Sequence, residues 1–302
     1  MGLISSTPML EKARSEGFGI VAFNVHSLDM IYAVVEAADE VKAPVILQTT
    51  VGSVKSLGAE NIVAAAEKAS NQYNVPVALH LDHCTEYSVI VQCIRAGYTS
   101  VMIDASMHPF EENVRKTNQV MEIAKHLDIN VEAELGKVGG VEDDIVVSDE
   151  DAQKAVPAEC VEFIKRTKVP TLAPAIGTAH GIYKGEPDID FIRIQEIAHL
   201  VEVPLVLHGG SAIPDEDVKR CVSLGMAKMN VSTELKNAYS AAIRNHFIET
   251  PEALDPRQYL SKAKNAAKDL AQSKITLVGC AGKATEIQEY EKEKHSNPIM
   301  AN

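Results

Sequence analysis

The stretch "VALHLDHCTEY", Val77 to Tyr87, opens as an apolar strand and then places two histidines, an aspartate and a cysteine within five residues. In a barrel of alternating strands and helices, groups that ligate metals or move protons gather where strands reach the catalytic face. Seven similar apolar segments flank it: "VAFNV" (21–25), "PVILQ" (44–48), "SVMIDA" (100–105), "NVEAEL" (130–135), "TLAPAIG" (171–177), "PLVLHGG" (204–210) and "AKMNVS" (227–232). Between them run segments of helical period such as "LDMIYAVVEAADEV", "AENIVAAAEKASNQY" and "PFEENVRKTNQVMEIAKHL". Near-continuous apolar strands alternating with helices predict a parallel sheet covered on both faces.

Eight such units close a (β/α)8 TIM barrel, an α/β fold of about 250 residues, so a chain of 302 leaves room for a C-terminal helical extension. A doubly wound open sheet is the competing architecture. It calls for a GxGxxG turn after the first strand, and the chain has none there. Residues 234 to about 290 read as two or three helices broken at "ETPEALDPRQYL", and the tail 291–302 is expected to fray. Nothing marks a linker, so 1–302 is expected to form a single domain.

The composition is 46% hydrophobic with no Trp and 5% aromatic residues, which predicts an aliphatic core. A net charge of −13 argues against nucleic-acid partners, whose phosphates must be neutralised by Lys and Arg. It does not exclude a phosphorylated small molecule held by backbone N–H groups and a metal. Five cysteines without CxxC spacing give no disulfide framework, which favours a reducing, cytoplasmic setting. The segment "MGLISSTPML" lacks the features of a signal peptide, and no apolar run is long enough for a membrane span.

Polar residues cluster at the strand ends. Strand three ends in Asp82 and His83, strand four in Asp104, and strand five carries Glu132 and Glu134. His180 follows strand six and His208 ends strand seven, each directly before a glycine. A lone histidine near a strand end is usually a bonded core or loop residue. Three at one barrel end match the donor set of a catalytic zinc with an open position. His80, inside strand three, reads as a packed interior residue; His26 follows strand one, where it could line the pocket. His108, His126, His199, His246 and His295 fall in loops, helices or the tail.

The loops "HGGSAIP" and "MNVSTELK" follow strands seven and eight, where barrels commonly cradle a phosphate. Gly209, Gly210 and Ser211 allow close backbone approach to an anion. Asn230, Val231, Ser232 and Thr233 then open a helix, with hydroxyls placed as caps. Alone, "NVST" is an ordinary capping sequence; its pairing with "HGGS" is what points to phosphate. The acidic, Gly-hinged segment 136–155 is a solvated loop for most of its acids, yet its length suits a lid, with Glu142 the acid able to swing inward. An aspartate next to a metal ligand is placed for acid–base work, so the expected chemistry lies beside a carbonyl of a phosphorylated substrate.

Together "AFNVHSLD", "LHLDHCTEY", "SVMIDAS", "VEAELGKVGGVEDD", "AIGTAHGIY", "PLVLHGGS", "NVSTELKNAYS" and "DPRQYL" cover nearly the whole chain. On these motifs it resembles the zinc-dependent class II ketose-bisphosphate aldolases, closest to the tagatose-1,6-bisphosphate branch, with the fructose-1,6-bisphosphate enzymes as near relatives. The resemblance implies that His83, His180 and His208 hold zinc, with Asp104 and Glu134 as an alternative inward site. It implies that Asp82 exchanges a proton with the C4 oxygen, and that Glu142 exchanges one on the enediolate carbon. Gly181, Gly209 to Ser211 and Asn230 to Thr233 would hold dihydroxyacetone phosphate beside a monovalent cation, Na+ or K+. Asn24 would contact the reacting centre. Arg257 would reach a phosphate bound by a neighbouring subunit, which implies a homodimer or homotetramer.

The chain departs from the family at Gly210, where alanine is usual, at Pro174, where valine is common, and at Cys84, where tagatose enzymes often have histidine. "TELK" (233–236) favours the tagatose branch. The departures leave open a ketose 1-phosphate with another distal anion, such as 6-deoxy-6-sulfofructose 1-phosphate. Lys228 keeps a Schiff-base mechanism open, and a metal-dependent hydrolase is a further alternative. A companion subunit also stays open. A non-catalytic partner subunit would be expected to lose some of Asp82, His83, His180 and His208, all of which are present.

Overall fold

A computed structural model describes residues 2–142, 145–148, 152–181, 185 and 187–296, with backbone alone at 141, 142, 145, 146 and 295. The strands in chain order are β1 (Ile20–Asn24), β2 (Val45–Thr49), β3 (Val77–Cys84), β4 (Ser100–Ile103), β5 (Asn130–Leu135) and β6 (Gly139–Glu142). They continue as β7 (Ile145–Val147), β8 (Thr171–Pro174), β9 (Ala179–His180), β10 (Leu205–Leu207) and β11 (Met226–Val231). The helices are α1 (Ser6–Glu16), α2 (Leu28–Glu40), α3 (Val51–Leu57), α4 (Ala59–Tyr73), α5 (Tyr87–Ala96) and α6 (Phe110–Ala124). After them come α7 (Pro157–Thr167), α8 (Phe191–Leu200), α9 (Asp215–Ser223), α10 (Thr233–Glu249), α11 (Pro256–Leu277) and α12 (Ala284–Ser296).

Eight parallel strands close into a barrel in the order β1-β11-β10-β8-β5-β4-β3-β2, as the alternating pattern predicts. The elements start and stop for local reasons. Ser27 accepts the Met30 N–H at the head of α2, and Asn74 ends α4 in the left-handed conformation. The remaining strands, in order β7-β6-β9, form a small separate sheet above the mouth.

The barrel interior corrects one expectation. Three strands are not continuously apolar; they alternate. His80 and Asp82 on β3, Asn130, Glu132 and Glu134 on β5, and Lys228 and Asn230 on β11 are polar at every second position, Ser100 begins β4, and all are buried. Residues between them, such as Leu79, Leu81, Val131, Ala133 and Met229, are apolar and also buried. The period of two assigns one face to the lumen and the other to the helices. Contacts confirm it: Lys228 on β11 bonds Glu132 on β5, although β10 and β8 stand between those strands in the barrel order. Only the interior offers that path.

Past the barrel, Asp255 caps α11 and Pro256 fills its first turn, which accounts for the break read at 249–260. Helix α11 packs on α2, and α12 on α1. Residues 291–296, the start of the tail expected to fray, belong to α12, and Lys294 pairs with Glu11 of α1. Residues 297–302 lie outside the described residues. No helix among the described residues is long and apolar enough to cross a membrane.

Candidate active site

The opening stretch turns at its end. Leu81 aligns with Val101 on β4 but Cys84 aligns with Ile103, so β3 carries one extra residue there. His83 takes φ of 44°, a left-handed conformation uncommon for a side chain with a Cβ. In a regular strand Asp82 and His83 would face opposite sides. The bulge brings both to the mouth, the re-aiming such irregularities perform near active sites.

His83 Nδ1 lies 2.9 Å from Asp104 Oδ2, and His208 Nε2 lies 2.7 Å from Glu132 Oε1. A carboxylate accepts, so each of these nitrogens carries the proton, a tautomer assigned from its partners. The other two nitrogens, His83 Nε2 and His208 Nδ1, then present lone pairs to one another at 2.7 Å. Two opposed lone pairs at that distance repel unless a proton is shared between them or both nitrogens ligate one cation to their side. The His180 ring stands 4.8 Å from His83 and 5.9 Å from His208, centroid to centroid. His83, His180 and His208 offer ligand atoms within 4.8 Å of one another; so do His83, Asp104 and Glu134. Glu134 Oε2 is buried without a hydrogen bond, 3.6 Å from His208 Nδ1. An all-nitrogen donor set, braced by carboxylates and flanked by an orphaned carboxylate oxygen, fits zinc.

The electrostatics follow from burial and from these pairings. Burial and the neighbouring Asp104 push the Glu134 carboxyl well above its ordinary range. At Asp104 burial pushes upward, but hydrogen bonds from His83 and Ser106 outweigh it and hold the group low. Glu132 is likewise raised by burial and brought well below its usual range by Lys228 and His208. His208 is lowered by burial and by His83. His80 is lowered by burial and by Lys228, which suits an uncharged interior ring.

Asp82 is fully buried beside this cluster. Its Oδ2 accepts from Asn24 Nδ2 at 2.9 Å and Gln48 Nε2 at 3.1 Å, and its Oδ1 from Asn230 Nδ2 at 3.2 Å. Gln48 also holds Asn24 Oδ1 at 2.6 Å. The sequence reading missed Gln48; its only signal was a buried polar residue closing the apolar run "PVILQ". Asn24 and Asn230 are brought to the centre as expected.

A narrow cleft gathers His180 with Gly181, Gly209, Gly210, Ser211, Asn230, Ser232 and Thr233, residues that the sequence groups as candidate phosphate contacts. Lys236, one helical turn beyond Thr233, also lines it and was not singled out. Val231 is buried in β11 and does not line it. The capping expectation is corrected. Ser232 makes no side-chain cap; instead Ser211 Oγ accepts the N–H groups of Ser232 and Glu234, at 3.2 and 3.4 Å. The β10 loop caps α10 because Gly210 lets it lie against β11: a Cβ there would stand 2.6 Å from Asn230 O.

The segment after β5 is more ordered than a free loop. β6 pairs with β7 as a hairpin, and on its other side Gly140 pairs with His180 of β9. Gly140 has φ of 98°, and a Cβ would stand 2.2 Å from His180 O, so the glycine permits the pairing that positions this histidine. Glu142 ends β6, but its side chain lies outside the described residues.

Arg257 is exposed in the first turn of α11, with its guanidinium on Asp255. Within one chain it does not join the site. Cys84 is fully buried, its Sγ–H donating to Glu86 O at 3.3 Å, and burial pushes the thiol up to about 11. It packs as a neutral thiol. Pro174 ends β8 in register with Leu135.

The family model described as Fructose-bisphosphate aldolase class-II matches residues 4–283. The crystal structure of the YdjI aldolase from Escherichia coli K12 superposes with a TM-score of 0.83 at 34% identity, covering 93% of this chain and 100% of that one. A Coccidioides immitis protein assigned as a fructose-1,6-biphosphate aldolase gives 0.85 at 30% identity, covering 92% and 97%. The fructose-bisphosphate aldolase of Campylobacter jejuni shares the fold with a TM-score of 0.80 at 24% identity, covering 93% and 97%.

Proposed function

This chain belongs to the class-II fructose-bisphosphate aldolase family, and from that premise we propose that it is a zinc-dependent aldolase acting on a ketose 1,6-bisphosphate. The substrate is D-tagatose or D-fructose 1,6-bisphosphate, cleaved reversibly to dihydroxyacetone phosphate and glyceraldehyde 3-phosphate. The observation that carries the reading is the pair of opposed lone pairs on His83 and His208 beside His180, directly next to Asp82.

His83, His180 and His208 would hold the zinc, with Asp104 and Glu134 offering an inward alternative around His83. Bound there, zinc supplies a Lewis acid for the ketose carbonyl. The C1 phosphate would lie in the cleft formed by Gly181, Gly209 to Ser211 and Asn230 to Thr233, where the N-terminus of α10 supplies a positive field. A monovalent cation, Na+ or K+, would sit beside it. Asp82 takes the proton from the C4 hydroxyl as the C3–C4 bond breaks, leaving the electron pair on C3. Asn24, Gln48 and Asn230 hold its carboxylate for that transfer. Glu142 would then deliver a proton to C3. The exposure of Arg257 supports its entry into a neighbouring subunit's site in a homodimer or homotetramer.

The test is a side-by-side assay of zinc-loaded enzyme with tagatose and fructose bisphosphates and with 6-deoxy-6-sulfofructose 1-phosphate. Triose phosphate formation, lost to EDTA and restored by zinc, is the expected result. Phosphate release without triose would indicate a hydrolase instead, and no turnover of any substrate would sink the reading.

A further inference from the structure

The most unusual buried group outside the mouth is Lys228. It is 1% exposed, lies inside the barrel below the candidate metal ligands, and has no part in the chemistry above. Its Nζ donates to Glu132 Oε2 at 2.7 Å and lies 3.5 Å from His80 Nε2. His80 Nδ1 is in turn 2.6 Å from Ser100 Oγ. The other oxygen of Glu132, Oε1, accepts from His208 Nε2 at 2.7 Å. One carboxylate therefore spans the lysine below it and the histidine above it, one oxygen for each.

That division has a consequence for His208. An imidazole presents a lone pair from one nitrogen only if the other keeps its proton, and here Glu132 holds the proton on Nε2. Without a second anchor, Glu132 could rotate about its terminal torsion and offer either oxygen in any direction. Lys228 removes that freedom from across the lumen. We infer that Lys228 is a positioning residue: by anchoring Glu132 Oε2 it aims Oε1 at His208, and so turns the His208 Nδ1 lone pair toward His83 and His180. The same anchoring excludes Lys228 as a carbonyl-attacking amine, because it is sealed in an ion pair beneath the site. This inference rests on the metal-site reading above for its purpose, but not for its test.

The test uses the full-length protein in four forms: wild type, Lys228→Met, Glu132→Gln, and Lys228→Met combined with Glu132→Gln. The double variant removes the buried carboxylate that Lys228→Met leaves without its cation, so it retains the fold if Lys228→Met does not. Long-range proton–nitrogen NMR of histidine-labelled, metal-free protein reads the His208 tautomer directly. Wild type is expected to show a single Nε2–H form, and the folded variants a mixture. Zinc affinity, measured by competition with a chelating indicator, is expected to fall roughly 10- to 100-fold in both Lys228 variants, as for other losses behind a metal-bound histidine. A lysine needed only to balance charge would leave folded Lys228→Met with the wild-type tautomer and affinity, and would leave the double variant indistinguishable from Glu132→Gln alone; either result would overturn the inference. Trapping of a substrate adduct on Lys228 by borohydride would overturn it too. Because the tautomer is read without metal or substrate, it judges Lys228 even if the aldolase assay fails.

Discussion

The lower half of the barrel interior and its mouth are built from the same kinds of side chain, and they differ in how completely those side chains are satisfied. Below, Ser100, Asn130 and Thr171 bond one another and Ser6 and Thr7 of α1, while His80, Glu132 and Lys228 close on each other above them. None of these six lumen residues keeps a buried side-chain atom without a hydrogen bond. At the mouth, Gln48 Oε1, Glu134 Oε2, Asn230 Oδ1 and Ser232 Oγ are buried and lack one. Each such atom costs about 1–3 kcal/mol in a closed protein. A fold that satisfies its lower layers and leaves four polar atoms open at the mouth is prepared for a ligand there. The lower layers hold His208 through Glu132; the mouth holds what binds to it.

The sharpest way to break this contrast is at the mouth. His180→Ala is expected to abolish both zinc binding and aldol cleavage, read by metal content after gel filtration and by triose phosphate release. Asp82→Ala should keep its zinc and lower kcat by roughly 10²- to 10⁴-fold, the usual share of a proton-transferring group. If Asp82→Ala lost its metal as His180→Ala does, the two roles would not be separable. Gly140→Ala, remote from the lower layers, should weaken zinc binding, because its Cβ meets the His180 backbone; unchanged affinity in a chelator titration would show that the small sheet does not position this ligand. Lys236→Ala should raise KM roughly tenfold, about 1.4 kcal/mol for one charged contact to phosphate, with kcat little changed. The smallest effect belongs to the lower layer. Thr171→Val should cost about 1 kcal/mol in urea unfolding and leave kcat and KM as they are, since Asn130 Oδ1 keeps its bond from Thr7.

Much of this site was legible as a list of residues and little of it as an arrangement. His83, His180, His208 and Asp82 stand out because such groups are conspicuous where apolar runs end. The boundaries of α4 and β5 follow from local periodicity and were read to the residue. The polar lumen was visible in part as a period of two in "NVEAEL" and "VALHLD", but the runs still read as apolar because their outward halves are. Ser211 was read as a phosphate contact and also proved to be the cap of α10, an exchange between a loop and a helix that belong to neighbouring strands. Gln48 gave almost no signal, since its role depends on Asn24 and Asp82 being beside it.

The sequence by itself determined the eight strand–helix units, the aliphatic helix-facing layer and which residues would meet at the mouth. Those depend on propensity and on alternation along the chain, both local quantities. Tertiary structure alone decided how they meet. The turn at His83 exists because β3 carries one residue more than its partner β4, which neither strand encodes alone. The aim of His208 depends on a lysine that acts through Glu132, a residue separated from it by 96 positions in the chain. Such contacts form only when barrel closure brings non-adjacent strands face to face across the lumen.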